Sequence, residues 1–160
     1  MYSSPVLQSY LHDLEVAHMK GQNLITYKYG YMMAYTHPDE FLAILDKLPP
    51  ISTVKQSLVT AIMTIYMKWE LEIQKETPGY DTNHRPLEEV NNSQTHTSVE
   101  TYMTGELQSY SEATLENILA HFLQCSKNGI NPVKGYLSAL HTQVKGYRTK
   151  SVAVNADGTS

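Results

Sequence analysis

The sequence is poor in cysteine and in long uninterrupted apolar runs. With a single cysteine, Cys125, among 160 residues, the chain cannot form an internal disulfide, which fits a reducing compartment. Lys, Glu or Thr breaks the longest apolar stretches well before the length of a membrane span, so no transmembrane helix is expected. The N-terminus lacks the basic start and apolar run of a signal peptide, so we expect a cytoplasmic protein.

Positive charge is also scarce, because 12 Lys and Arg residues stand against 16 Asp and Glu residues, and the formal net charge is −4. Non-specific affinity for nucleic acid comes mainly from attraction to phosphate, so nucleic acid is not an expected partner. The one local basic cluster, Lys145, Arg148 and Lys150, lies near the C-terminus, where such charges are more often solvated than part of a binding patch. A membrane is not an expected partner either.

Tyrosine is the abundant aromatic residue, with 12 tyrosines against two phenylalanines and one tryptophan. A buried tyrosine needs a partner for its hydroxyl group, so the core is expected to contain hydrogen-bond acceptors. The length and the hydrophobic content of 41% suit one globular domain. We assign residues 1–151 to a single helical domain and residues 152–160 to a flexible C-terminal tail.

Apolar residues recur with the helical period of 3.6, and the alternation typical of strands is scarce. The predicted fold is therefore all-α, a single-domain bundle of about six or seven helices. Gly, Pro and polar caps divide the pattern into predicted helices at residues 6–20, 23–35, 39–47, 53–76, 98–110, 112–128 and 131–145. In the first of these, one line of the helix carries Leu7, Leu11, Leu14 and His18.

The predicted helix 98–110 carries the strongest candidates for chemistry. On an ideal helical wheel, Glu106 lies at the edge of the apolar stripe, one turn from Tyr102 and one turn from Tyr110. Gly105 lies on the Tyr102 side, where the missing side chain would let another helix or a ligand come close. Glu100 follows Thr97 with the spacing of a capping box, so helix capping alone would explain it.

The long helix 53–76 adds a second carboxylate. Its predicted apolar stripe consists of Val54, Leu58, Ala61, Ile62, Ile65 and Trp69. Glu72 continues that stripe whereas Glu70 points away, and a core-facing carboxylate must be paired, hydrogen-bonded or protonated. Glu72 and Glu106 are therefore predicted to meet across two packed helices. The nearest expected cation is Arg85, in the long connection 77–96.

These residues predict a polar pocket that binds a small metabolite and transforms it by acid–base chemistry. The predicted roles are a base or acid at Glu106, a hydrogen-bond partner at Tyr102, a second carboxylate at Glu72, an anion anchor at Arg85, an apolar wall at Trp69, and further ligand contacts at Glu100 and Tyr110. An alternative left open is an internal Glu–Arg–Tyr network that only fixes helix register. The rival function is a non-catalytic interaction module, in which the Tyr/Met-rich helix 23–35 docks onto a partner or onto a second copy.

Cofactor signatures are missing from the sequence. There is no glycine-rich phosphate loop, nucleophile elbow or zinc spacing, so no cofactor is predicted. One E-x-x-H, from Glu15 to His18, is half of a di-iron signature, which needs a second such motif and two further glutamates. No metal site is therefore predicted.

Two segments resemble a mainly bacterial family of helical proteins that is known only as a domain of unknown function. The segment TSVETYMTGELQSYS at residues 97–111 matches the long and fairly specific pattern T-S-x-E-T-Y-x-x-G-E-L-x-x-Y-S. The other matching positions are Gly21, Asn23, Leu24, Lys28 and Tyr29 of a G-x-N-L-x-x-x-K-Y helix, Trp69, and Arg85 with Pro86. The resemblance extends to about Ser151. It implies a common fold and a polar centre on the helix that carries Glu100 and Glu106, and it implies no activity.

Overall fold

A computed structural model describes residues 2–76, 86–89 and 97–135. This part of the chain contains α-helices and 3-10 turns, and no strand. The helices are α1 (Ser4–Met19), α2 (Leu24–Thr36), α3 (Pro38–Leu42), α4 (Thr53–Glu76), α5 (Val99–Gln108) and α6 (Glu112–Lys127), with a 3-10 turn at Leu45–Lys47. The all-α prediction is confirmed, although the predicted helix 39–47 is divided between α3 and the 3-10 turn.

Two further predictions concern the C-terminal part of the chain and membrane-spanning helices. Residues 132–135 are helical, and the remainder of the predicted helix 131–145 and the predicted tail 152–160 lie outside the described residues. In the ranges that the structure covers, no helix has the combination of length and apolar character that crossing a membrane requires.

Side-chain caps set the start of α2, α4, α5 and α6. Asn23 accepts hydrogen bonds from two backbone N–H groups in the first turn of α2, and Ser98 and Ser111 each accept one in α5 and α6. Gly21 and Gly129, which follow the C-caps of α1 and α6, have φ of 63° and 66°. That left-handed conformation suits glycine and ends both helices, as the sequence predicts.

The core lies where α4, α5 and α6 meet. Its completely buried hydrophobic residues are Ile62, Leu107, Leu115, Ile118 and Phe122. Trp69 packs edge-on against Phe122, with 4.8 Å between the ring centroids. Helix α1 packs on α6, and α2 packs on α5, so α5 is held between α2 on one side and α4 on the other.

The buried face of α1 differs from the leucine line seen in the sequence. Leu7, Leu11 and Leu14 are each at least 40% exposed, whereas Val6 and Ala17 are buried. Both sides of this helix carry apolar residues, so periodicity alone cannot choose between them. Packing against α6 determines which side of α1 is buried.

The buried face of α4 is also rotated relative to the prediction. Its buried residues are Val59, Ile62, Met63, Trp69, Glu70 and Ile73. Only Ile62 and Trp69 belong to the predicted stripe, and Val54 is 52% exposed. Glu70, predicted to point away, is therefore a buried residue, and Glu72 lies at the edge of the packed face.

Candidate functional site

Glu106 lies between α5 and α2 and is bound through both of its carboxylate oxygens. Lys28 Nζ donates to Oε2 at 2.6 Å, and the hydroxyl of Tyr110 donates to Oε1 at 2.7 Å. The Lys28 side chain is 11% exposed and that of Glu106 is 28% exposed. Charge-assisted hydrogen bonds of this kind are short and strong, so the carboxylate is held in one position.

Lys28 is the residue that the sequence interpretation missed at this centre. Besides its bond to Glu106, its ammonium group lies over the ring of Tyr102, 3.4 Å from the centroid, in a cation–π contact. The hydroxyl predicted to donate to Glu106 is that of Tyr102, whereas the described hydroxyl hydrogen bond to Glu106 comes from Tyr110, and Tyr102 contacts Lys28 through its ring. The predicted cation, Arg85, lies outside the described residues.

The sequence did contain a signal for Lys28. It lies four residues after Leu24 and four before Met32, so an ideal wheel puts it on the same line as both. A lysine at such a position is buried only when it has a partner. Only 9% of Lys28 is exposed, and the partner is Glu106.

The phenols around Glu106 keep their protons well above neutral pH. Burial, and next the negative charge of Glu106, raise the pKa of Tyr110, whose hydrogen bond to Glu106 raises it further. The pKa of Tyr10 is raised by burial and by the same carboxylate, and its ring lies 5.0 Å from that of Tyr110. Both phenols are therefore hydrogen-bond donors at the pH of a cell.

Gly105 allows α2 and α5 to approach closely beside this centre. A Cβ added at Gly105 would lie 2.5 Å from Met32 Cγ and 2.9 Å from the backbone oxygen of Lys28. The prediction that another helix comes close at Gly105 is therefore confirmed. The close approach also places Lys28 within reach of Glu106.

The described contacts do not bring Glu72 to Glu106. Glu72 is partly buried and accepts a hydrogen bond from Asn131 Nδ2 at 3.4 Å, whereas the partners of Glu106 are Lys28 and Tyr110. The predicted meeting of two carboxylates is therefore not found. The physical reason is the rotation of α4, which puts Glu70 rather than Glu72 on the buried face.

Trp69 and Glu100 take other places than the predicted ones. Trp69 is 3% exposed within the core, where it contacts Phe122. Glu100 Oε2 accepts the backbone N–H of Glu89 at 2.7 Å, and Ser98, not Thr97, is the N-cap of α5. The predicted capping box is therefore out of register by one residue, and neither Trp69 nor Glu100 touches the Lys28–Glu106 pair.

Two adjoining cavities open beside the pair. The smaller, of about 100 Å³, is lined by Tyr10, Leu24, Ile25, Lys28, Glu106, Ser109 and Tyr110. The larger, of about 480 Å³, lies between α1, α2 and the α5–α6 junction and shares Leu24, Ser109 and Tyr110 with the smaller one. We call the two together the α1–α2 cleft. Its volume is in the range of about 300–1,000 Å³ that small-molecule sites occupy.

The larger part of the α1–α2 cleft contains two charged residues that are at least partly buried and that the sequence interpretation did not select, Asp13 and Lys55. Asp13 is 9% exposed and its Oδ2 accepts the backbone N–H of Ser111 at 3.0 Å. Lys55 Nζ donates to the backbone oxygen of Gln108 at 3.3 Å. Burial lowers the pKa of Lys55, against the opposing charges of Glu112 and Asp13.

A sequence signal for Asp13 exists in hindsight. Asp13 is seven residues after Val6 and four before Ala17, so the three share one line of α1. Apolar periodicity in the same helix favours the leucine line instead. His12 and Glu15 are exposed, and within the described residues no group of three or more His, Cys, Asp or Glu is arranged to hold a metal ion.

The described chain is thus an α-helical bundle with a Lys–Glu–Tyr centre that lines the smaller part of a cleft. It belongs to the family described as "Protein of unknown function (DUF4125)", whose model matches residues 1–153. This confirms the family resemblance drawn from the sequence. No curated protein and no solved structure matches the chain.

Proposed function

We propose that this protein binds a small polar metabolite in the α1–α2 cleft and that Glu106 acts there as an acid–base group. The observation that carries the proposal is the position of Glu106, which lines the smaller cavity while Lys28 and Tyr110 hold its two oxygens. An ionised carboxylate has about four lone-pair sites, so Glu106 keeps acceptor capacity for a bound molecule.

The contacts of Glu106 support a role beyond fixing α2 against α5. A network that served only to fix helix register needs no access to solvent or ligand, yet 28% of the Glu106 side chain is exposed at a cavity wall. Positioning is what a general base requires, because the carboxylate must lie within hydrogen-bond reach of the proton that it removes. The donors Lys28 and Tyr110 supply that positioning.

The rival function, an interaction module on α2, receives less support. It needs the tyrosine and methionine side chains of α2 on the surface, but Tyr31 is 5% exposed and Met32 is 6% exposed. Both pack inward, and the large apolar residues that α2 does expose include Ile25 and Tyr29. The metabolite site is therefore the function that we propose.

Replacing Glu106 by Gln tests the proposal. A panel of common metabolites would be screened against the wild-type protein by ligand-observed NMR, and each hit would be titrated into the variants. We expect Glu106→Gln to weaken binding of the hits at least tenfold, which corresponds to about 1.4 kcal/mol. The matched control is Glu116→Gln, an exposed carboxylate on α6, which we expect to bind as the wild type does.

Stability must be measured beside binding, because Glu106→Gln leaves the buried ammonium of Lys28 without its counter-charge. We expect that to lower the free energy of unfolding by about 3 kcal/mol. The double variant Lys28→Met with Glu106→Gln removes both charges and is expected to recover most of this loss. Hits that bind the folded double variant as tightly as the wild type would refute a role for Glu106 in the site.

A further inference from the structure

The α1–α2 cleft presents two opposite charges that form no ion pair with each other. Asp13 and Lys55 both line its larger part, and within the described residues neither has an oppositely charged side-chain atom at ion-pairing distance. The Lys28–Glu106 pair, which lines the smaller part of the same cleft, differs because only 2.6 Å separates its charged atoms. Lys28 and Glu106 thus form an ion pair with each other, whereas Asp13 and Lys55 form no ion pair within the described residues.

Asp13 is an unusual residue to leave without a cation. More than nine tenths of it is buried, and carboxylates are rarely buried to that extent without a partner. Oδ2 accepts the backbone N–H of Ser111, at the N-cap of α6. In the part of the chain that the structure describes, Oδ1 accepts no hydrogen bond, so it remains available to a donor in the cleft.

Lys55, on α4, carries the charge opposite to that of Asp13 in the same cleft. Its ammonium group has three hydrogens and makes one described hydrogen bond, to the backbone oxygen of Gln108 at 3.3 Å. The charges of Glu112 and Asp13 both act on Lys55 from beyond ion-pairing distance. Glu112 does not line the cleft and accepts a hydrogen bond from Ser52. Two donors of Lys55 therefore remain for a ligand.

The other titratable groups that line the cleft form no described ion pair with Asp13 or Lys55. Lys20 and His12 line it as well, and both are exposed at its rim. Val16, Leu24 and Tyr27 add apolar and aromatic surface between the charged positions. The larger part alone, at about 480 Å³, has room for a molecule much bigger than one charged group.

We infer that the ligand of the α1–α2 cleft is a small zwitterion, with an ammonium group bound by Asp13 and a carboxylate or phosphate group bound by Lys55. The inference rests on the proposed function, because it names the class of molecule that the same cleft takes. Such a ligand supplies each charge with its missing partner at once. A singly charged ligand leaves one of the two charges without a partner.

The experiment is a binding series in which each ligand charge is removed separately. The zwitterionic probes are the proteinogenic amino acids, β-alanine and ethanolamine phosphate, measured by ligand-observed NMR and calorimetry. For each amino acid that binds, the N-acetyl derivative lacks the ammonium charge and the primary amide lacks the carboxylate. We expect each derivative to bind at least tenfold more weakly than its parent.

Variants assign each charge to its residue. Lys55→Met is expected to weaken binding of the parent amino acid at least tenfold while leaving the affinity for the primary amide unchanged. Asp13→Asn keeps an acceptor for the backbone N–H of Ser111. It is expected to weaken binding of the parent amino acid while leaving the affinity for the N-acetyl derivative unchanged. The matched controls are Lys68→Met on α4 and Asp39→Asn on α3, both exposed, and neither is expected to change any affinity.

The outcomes separate this inference from the proposed function. If derivatives bind as tightly as their parents, or if only singly charged and neutral metabolites bind, the zwitterion inference is overturned and the proposed function stands. If neither these probes nor the metabolite panel bind, both fail. A drop in melting temperature for Lys55→Met and Asp13→Asn, without any change in ligand affinity, would assign the two charges to folding alone and overturn the inference.

Discussion

At the scale of single residues, Gly105 decides how closely α2 and α5 pack. Its missing side chain leaves room for Met32 and for the backbone of Lys28, which a Cβ would approach to 2.5 Å and 2.9 Å. A side chain can shift, but a helix backbone moves only with the whole helix. We therefore expect Gly105→Ala to lower the free energy of unfolding by about 1–3 kcal/mol, the usual cost of overpacking, measured by urea denaturation.

The same chain provides a control for this substitution. Gly135 is also helical, and among the described residues a Cβ there would meet nothing within 4 Å. Gly135→Ala is therefore expected to leave stability unchanged or to raise it by about 0.5–1 kcal/mol, the helix propensity of alanine over glycine. Equal effects at the two positions would contradict the packing argument for Gly105.

The candidate site was predictable residue by residue, but only in part. The wheel placed Glu106 beside Tyr110 because the two are one turn apart on the same helix, and their hydrogen bond is observed. It could not identify Lys28 as the partner, because which residue of α2 faces Glu106 depends on how the two helices cross. Local periodicity carries no information about that crossing.

At the scale of the helices, capping controls where α2 begins. Asn23 Oδ1 accepts the backbone N–H of Ile25 at 2.9 Å and that of Thr26 at 3.3 Å, and the bonds are exposed. Asn23→Ala removes the one oxygen that accepts both hydrogen bonds without disturbing the core, so we expect a loss of about 1 kcal/mol in the free energy of unfolding. Thermal or urea unfolding followed by circular dichroism measures it.

Ser3 gives the matched comparison for this cap. It occupies the N-cap position of α1, yet its side chain makes no capping hydrogen bond. Ser3→Ala is therefore expected to change stability by less than about 0.5 kcal/mol. A loss at Ser3 as large as that at Asn23 would mean that the side-chain bond is not the source of the effect.

Helix positions were easier to predict than helix faces. The bounds of α4 and α6 follow closely from proline, serine and glycine signals in the sequence, because those residues act on the backbone next to them. The buried faces of α1 and α4 did not follow, since each helix has apolar residues on more than one side. Tertiary contact selects the face, and that selection also moved Glu72 away from the site.

At the scale of the whole molecule, buried phenols make stability depend on alkaline pH. Burial raises the pKa of Tyr31 to about 12, and burial also raises the pKa of Tyr2 and of Tyr110, each further raised by the charge of Glu106. In the unfolded chain these phenols titrate near pH 10. The unfolded state therefore loses protons first, so the free energy of unfolding falls as pH rises above about 10.

The slope of that fall is the quantity to measure. Each phenol that stays protonated in the folded state contributes up to about 1.4 kcal/mol per pH unit above about pH 10. Lys55 acts in the opposite direction because its pKa is lowered by burial, but it is one group against several tyrosines. Melting temperatures between about pH 8 and pH 11 should stay level at first and then decline steeply.

Tyr110→Phe isolates the contribution of the centre to this slope. The variant loses the hydroxyl that donates to Glu106, so it is less stable at neutral pH, but it also loses one titrating phenol. We expect its stability to decline less steeply than that of the wild type above about pH 10. Tyr29→Phe, at an exposed position, should follow the wild-type curve. If Tyr110→Phe shifts the whole curve downward with an unchanged slope, the pKa of Tyr110 is not raised in the folded state above that of the unfolded chain.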